Sequence, residues 1–134
     1  MNQLNQKQLQ IHIPVVGWLL ILGHAVNVAI GVFIFLLLGG IGIAVRDSTA
    51  TPVLIIIALT AAFLLVIFAL PGLAAGIGLL MHKNWGRILS IVIAILELFI
   101  FPIGTLIGLY AIFVLAQDSA TEYFGAPAAA AENR

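Results

Sequence analysis

The stretch that decides the fold is ILELFIFPIGT, residues 95–105, which lies within a long apolar run near the end of the chain. Pro102 pushes the preceding residue out of helical geometry, and Gly104 adds a second weak point two positions later. FPIG therefore predicts a tight turn that divides the run into two helices. The same stretch carries an acid, Glu97, in otherwise apolar surroundings.

The amino-acid composition indicates the class of protein in which this turn occurs. The 134 residues are 63% hydrophobic and 7% charged, with a mean hydropathy of +1.26, whereas soluble domains carry roughly 25% charged residues. An integral membrane protein is expected. The formal net charge of zero and the scattered charges give no indication of nucleic-acid binding. Without cysteine, disulfides and thiolate chemistry are excluded.

Apolar runs predict an all-α, integral membrane four-helix bundle in a single domain over residues 1–118. The expected spans are residues 13–38, 52–81, 85–101 and 103–118, and residues 119–134 are expected to form a flexible cytoplasmic tail. STATP, residues 48–52, is a start signal for the second helix. A kink is expected near Pro71.

Three spans with a kinked last helix are the alternative. In that arrangement, residues 85–116 form one helix of about 48 Å, well over the hydrocarbon thickness of a bilayer. The length and the weak points at Pro102 and Gly104 favour four spans.

Orientation follows from the Lys/Arg bias. Lys7, Lys83 and Arg87 fall on one side in either topology, against Arg46 alone in the first loop. The amino terminus, the HKNWGR loop and the tail are therefore expected in the cytoplasm. Trp85, Lys83 and Arg87 are predicted interface anchors, because aromatic rings and basic side chains collect at headgroup level.

An intramembrane polar cluster is predicted from depth. Glu97 lies about 18 Å from Trp85 along a helix, close to the expected level of His24 and Asn27. His24 and Asn27 are three residues apart and share a helix face. Because charged residues in a membrane face the bundle interior, Glu97 is expected to hydrogen-bond one or both. Thr105 is a further member, nearly level with Glu97, and Tyr110 is a secondary candidate.

Two interpretations of this cluster remain open. In one, Glu97 and His24 form a proton or cation site. In the other, they are polar contacts that hold helices in register. No metal site is predicted, because the three histidines differ in depth and metal-binding spacings are missing. No cofactor is predicted, and no nucleophile and base suggest an enzyme.

Small residues form a second pattern. Gly72 and Gly76, and likewise Gly104 and Gly108, follow the G-x-x-x-G spacing that lets membrane helices approach closely. The spacing suits packing within one chain or a face between protomers.

Residues 70–115 resemble a segment of small, largely uncharacterised bacterial multi-span membrane proteins. The resemblance rests on Trp85-Gly86-Arg87 in the loop and on Pro102, Gly104, Thr105, Gly108 and Tyr110 in the last helix. It covers about a third of the chain, supports four helices and implies a bacterial inner (cytoplasmic) membrane. It implies no particular activity.

Three functional classes follow. A structural or accessory subunit would act through helix packing in the lipid bilayer, either self-associating as a homo-oligomer or bound to other membrane protein subunits. An oligomeric ion channel or proton-linked carrier would use Glu97 and His24. A haem- or pigment-binding subunit would use His24 as an axial ligand. The first is favoured.

Overall fold

The computed structural model of the protein describes residues 4–125, and every regular element in that part of the chain is a helix. In chain order the helices are α1 (Gln6–Val45), α2 (Ala50–Leu80), α3 (Asn84–Glu97), α4 (Ile103–Leu115) and α5 (Asp118–Gly125). The predicted all-α class is confirmed. α1 and α2, with 40 and 31 residues, are long and apolar enough to cross a membrane, which takes about 20 residues.

α3 and α4 are shorter than the spans predicted at residues 85–101 and 103–118. They have 14 and 13 residues, and α4 reaches span length only if α5 is counted with it across a 68° bend. α3 ends early because the hydrogen-bond pattern changes after Glu97. The next three N–H groups bond carbonyls three residues back, as in a 3₁₀ turn: Leu98 to Ile95, Phe99 to Leu96 and Ile100 to Glu97. Length alone therefore supports two spans, and four spans stay a prediction.

The chain between α3 and α4 turns back, so that the two helices pack against each other as an α3–α4 hairpin. Thr105 closes the turn twice: its N–H donates to the Ile100 carbonyl, at 3.2 Å, and its hydroxyl donates to the Leu98 carbonyl, at 2.9 Å. The single kinked helix over residues 85–116 is not formed. The predicted turn at FPIG is present and extends over residues 98–102.

The described residues divide into two compact units. The larger unit comprises residues 4–21 and 72–125, and it contains the start of α1, the end of α2 and all of α3, α4 and α5. The smaller unit is Leu22–Pro71, formed by the rest of α1 and α2. α2 continues through Pro71 as one helix.

The core lies in the larger unit and draws on every helix there. Its side chains are mostly aliphatic and small, and they are almost fully buried: Leu9, Ile13, Val16, Leu20, Ala75, Leu79, Ile93, Ala94, Ala111, Val114, Leu115, Ala120 and Phe124. In the smaller unit, by contrast, the buried hydrophobic side chains are two alanines, Ala58 and Ala69. Its larger apolar side chains are mostly exposed, which suits a lipid environment and not water.

Backbone-to-backbone approach sets the packing of the larger unit. A Cβ placed on Gly76 would lie 2.7 Å from the Gly17 carbonyl oxygen, and one on Gly78 would lie 2.6 Å from the Gly86 Cα. A Cβ on Gly108 would meet the Ala94 carbonyl oxygen. Such distances leave no room for a methyl group, so α1, α3 and α4 are positioned by glycine.

Two structured turns join α1, α2 and α3. His82 has a φ of 54°, and the bonds from His82 N–H to the Leu79 carbonyl and from Lys83 N–H to the Gly78 carbonyl form a Schellman motif that ends α2. In the smaller unit, Asp47 caps the start of α2: its Oδ1 accepts hydrogen bonds from the N–H groups of Thr49 and Ala50, at 2.9 and 2.7 Å. The cap is therefore Asp47 and not one of the hydroxyl residues that follow it.

The predicted flexible tail is wrong in its first part. Residues 118–125 form α5, whose Ala120 and Phe124 are buried against the core. Ala120 and Phe124 are four residues apart and so share one side of this short helix, and the burial of that side outweighs the low intrinsic stability of the helix. The rest of the predicted tail, residues 126–134, lies outside the described residues.

Replacing Gly76 with alanine is expected to destabilise the protein by about 1–3 kcal/mol, because the added methyl group overpacks the contact between α1 and α2. Unfolding in mixed micelles by a denaturing detergent measures the change. Gly40→Ala is the matched control, since a Cβ at Gly40 meets nothing within 4 Å. Equal losses in both variants would contradict the close-approach account.

Asp47 is expected to make the first turn of α2 sensitive to pH. Hydrogen bonds from Ala50 and Thr49 N–H hold the pKa of the Asp47 carboxyl below its usual value. Its stabilisation is therefore present above about pH 4, near the unfolded pKa, and is lost as the pH falls through the lower folded pKa. Amide resonances of Thr49 and Ala50 should follow this titration.

Asp47→Asn distinguishes the hydrogen-bond acceptor of the cap from the negative charge of its carboxylate. The asparagine oxygen can accept the same N–H groups without titrating in this range. The first-turn amides of this variant should stay unchanged as the pH falls, and a titration identical to that of the original chain would count against Asp47 as its source.

Candidate functional site

The buried face of α3 carries the polar residues that are deepest in the protein. Gly86, Ser90, Ala94 and Glu97 recur every three or four residues and are all buried, which is the periodicity of one helix face. Glu97 is 7% exposed and Ser90 is fully buried. Glu97 therefore lies inside the protein, and its membership of an intramembrane polar cluster stays a prediction.

The other predicted members of the polar cluster are distributed over both units. His24 belongs to the smaller unit and is also 7% exposed, while Asn27 in the same unit is half-buried. Thr105 is in the larger unit, where its hydroxyl bonds the Leu98 carbonyl in the hairpin turn. Pairing of Glu97 with His24 or Asn27 stays a prediction.

Ser90 is a buried polar residue that the sequence analysis left out. Within the described part of the chain its Oγ has no hydrogen-bond partner, which is unusual for a fully buried hydroxyl. Its neighbours on the same face are Gly86 and Ala94, whose small size lets α2 and α4 approach α3 closely. Serine fits this position because it is nearly as small as alanine.

Arg87 connects three elements at the open end of the hairpin. Its Nε donates to the Leu115 carbonyl at the end of α4, at 2.9 Å, and its Nη2 donates to the Thr121 hydroxyl of α5, at 2.7 Å. A cation at a helix C-terminus satisfies a carbonyl that lacks a helical partner and opposes the helix dipole. Arg87, predicted as an interface anchor, therefore also fixes where α5 begins.

A second set of contacts at this end involves the start of α1. His12 Nδ1 and the Tyr110 hydroxyl lie 2.6 Å apart and share a hydrogen bond, with the two rings edge to face at 6.0 Å. The Leu4 N–H donates to the Gln117 side-chain oxygen at 2.7 Å. Tyr110, a secondary candidate for the Glu97 cluster, pairs with His12 instead.

The loop between α2 and α3 completes this end of the larger unit. The rings of His82 and Tyr123 lie 5.7 Å apart, and Trp85 is half-exposed beside Gly78. We call the residues at this end (His12, His82, Arg87, Tyr110, Gln117 and Thr121) the base network. No local sequence signal predicts it, because the contacts at this end join residues up to 113 positions apart.

The contacts in these two places join helices to one another. Within residues 4–125, no three His, Cys, Asp or Glu side chains are grouped so that they could hold a metal ion. The hydrogen bonds of the base network tie α1 to α4, and α3 to α4 and α5, and a further bond joins Leu4 to Gln117, which lies between α4 and α5. Comparison with protein-family models, curated proteins and solved structures finds no match to this chain.

Arg87→Lys is expected to loosen α5 while keeping the positive charge. A lysine cannot reproduce the fork of the guanidinium, so one of the two bonds is lost, at about 1.5 kcal/mol, the lower end for a bond to a charged group because the Thr121 contact is exposed. Amide exchange over residues 118–125 should then speed up.

Lys83→Gln is the control variant, because it changes a basic side chain close to Arg87 that makes no hydrogen bond or ion pair within the described chain. Its α5 exchange should match that of the original chain. Unchanged exchange in Arg87→Lys would show that α5 is held by its apolar side alone.

Proposed function

We propose that the protein is a small integral membrane protein that acts as a structural or accessory subunit through helix packing within the bilayer. The observation that carries this proposal is the distribution of polarity in the larger unit. Large apolar side chains are exposed along its helices, for example Trp18, Val92 and Leu109, whereas its hydrogen-bonding side chains concentrate in the base network. A surface of this kind is suited to contact with lipid and not with water.

We propose further that α1, α2, α3 and α4 are all embedded in the membrane as a four-helix bundle. The shared core of the larger unit, to which each of the four contributes, supports this. The close approaches at Gly76, Gly78 and Gly108 support it as well, because membrane helices associate through small residues at their contacts.

Orientation and compartment belong to the same proposal. Lys83 and Arg87 lie beside Trp85 at the open end of the hairpin, as expected for a cytoplasmic boundary. We place this end, the amino terminus and the carboxyl terminus in the cytoplasm. The resemblance of residues 70–115 to bacterial multi-span proteins suggests the bacterial inner membrane.

The partners are other copies of this chain or other membrane protein subunits. The smaller unit supports association, because it has only two buried hydrophobic side chains of its own. Two helices with so little shared core gain stability from neighbours that pack against them within the bilayer.

An oligomeric channel or proton-linked carrier is the second candidate. The burial of Glu97 favours it, because ionisable residues inside a membrane often mark ion pathways. Proton or cation flux into liposomes that disappears in Glu97→Gln would favour this candidate over a purely structural subunit. Flux at the background level in both forms would remove it.

Self-association is tested by energy transfer between copies in liposomes. The chain has no cysteine, so Ser48→Cys in the α1–α2 loop gives one site for donor or acceptor dyes. Transfer should exceed that of randomly placed molecules and should fall when unlabelled protein is added in excess. Random-level transfer at every protein-to-lipid ratio would contradict self-association and leave binding to a different subunit.

A further inference from the structure

We infer that the α3–α4 hairpin is re-entrant: it enters and leaves the membrane on the side of its base, and its tip is covered by lipid acyl chains. The tip is residues 98–103, and the base is the end of the hairpin that carries the base network. The inference rests on the membrane placement proposed above and specifies how one part of the protein meets the bilayer.

The length of the hairpin is the first argument. α3 has 14 residues, or about 21 Å at 1.5 Å per residue, against about 30 Å of hydrocarbon. Trp85 and Arg87 at its start mark headgroup level. The tip therefore falls short of the opposite surface, and tilt of the hairpin would shorten its reach further.

The chemistry of the tip is the second argument. Phe99 and Phe101 are each 85% exposed, Ile103 is 71% exposed and Ile100 is 61% exposed. A loop that reached water would be expected to carry polar side chains, yet the tip has none. Apart from Glu97, which is buried beside the tip, the charged and amide side chains at or next to the hairpin lie at the base, for example Lys83, Arg87 and Gln117.

Backbone pairing in the first half of the tip is the third argument, because each unpaired backbone group is costly in hydrocarbon. The N–H groups of Leu98, Phe99 and Ile100 all bond carbonyls of α3. Pro102 has no N–H to satisfy. Thr105 uses its N–H and its hydroxyl to pair the Ile100 and Leu98 carbonyls.

Lipid is a better occupant than a second helix. Close contacts between membrane helices use small residues, but the small residues of α4 already face α3. A Cβ on Gly104 would lie 2.8 Å from the Glu97 carbonyl oxygen, and one on Gly108 would meet the Ala94 carbonyl oxygen. The outward side of the tip offers bulky Phe and Ile side chains instead, which suit disordered acyl chains.

Spin-label accessibility in the full chain reconstituted in phosphatidylcholine vesicles tests this inference. Four single-cysteine variants need no background substitutions: Phe101→Cys at the tip, Asn84→Cys at the base, Ser48→Cys in the first loop and Phe33→Cys on the exposed side of α1. Each label is probed with molecular oxygen, which partitions into hydrocarbon, and with a water-soluble nickel chelate.

The expected result is high oxygen and low nickel accessibility at Phe101→Cys, matching Phe33→Cys, with the reverse at Asn84→Cys and Ser48→Cys. An impermeant maleimide should likewise fail to label Phe101→Cys from either side. Labelling of Phe101→Cys after detergent solubilisation should show that its thiol is intact and reactive.

Three results would overturn the inference. Nickel accessibility at Phe101→Cys, with labelling from the side opposite Asn84→Cys, would make the hairpin two full spans. Low accessibility to both probes would place protein, such as a second copy, over the tip. Nickel accessibility at both Phe101→Cys and Phe33→Cys would instead contradict the membrane placement itself, so failure of the two proposals can be distinguished.

Discussion

The close approach of helix backbones at glycine is the constraint on which the larger unit depends. In a bilayer the helices gain little from burying apolar side chains, since lipid is as apolar as the protein interior. Association then relies on van der Waals contact, which grows as the helix axes come closer. Gly78 against Gly86, and Gly108 against the Ala94 carbonyl, bring three helices to backbone contact. Ser90, the other small residue on this face of α3, fits for the same reason.

Close packing in turn determines where polar groups can be placed. A side chain such as Arg87 does not fit between helices in backbone contact, but it fits at their ends, where unpaired carbonyls need donors. The base network meets this need for α4 and holds α5 at an angle of 68° to it. Polar chemistry is thus concentrated at one end of the larger unit, and Ser90 and Glu97 are the buried exceptions.

Local signals explain most of what could be predicted from the sequence. The apolar runs predicted helices, and Pro102 with Gly104 predicted the hairpin turn, because both effects act over a few residues. Helix ends were less predictable. α3 ends at Glu97 because the following N–H groups bond carbonyls three residues back, and no residue type at this point predicts that change. Partners such as His12 and Tyr110 are 98 positions apart, so only the tertiary fold reveals them. Asp47 was overlooked because three neighbouring residues, Ser48, Thr49 and Thr51, could also cap.

The candidate site was predictable to the same extent. That Glu97 is buried follows from the cost of exposing an acid to lipid, and the structure agrees. Which residue it pairs with is a matter of helix rotation and register, which a single sequence does not encode locally. The flexible tail was predicted from the average composition of residues 119–134. That average hides the two residues, Ala120 and Phe124, whose burial holds α5 against the core.

The absence of charge between Glu97 and Asp118 has a consequence for biogenesis. No Lys, Arg, Asp or Glu lies in residues 98–117, so insertion of α4 and its turn moves no charged group through hydrocarbon, where each would cost about 2.5–3.5 kcal/mol. In the re-entrant arrangement inferred above, Glu97 would then be the one acidic residue of α3 and α4 to enter the bilayer with the hairpin. That arrangement would require no export of a hydrophilic loop, and the charged residues that follow α4 would stay on the side from which the hairpin entered.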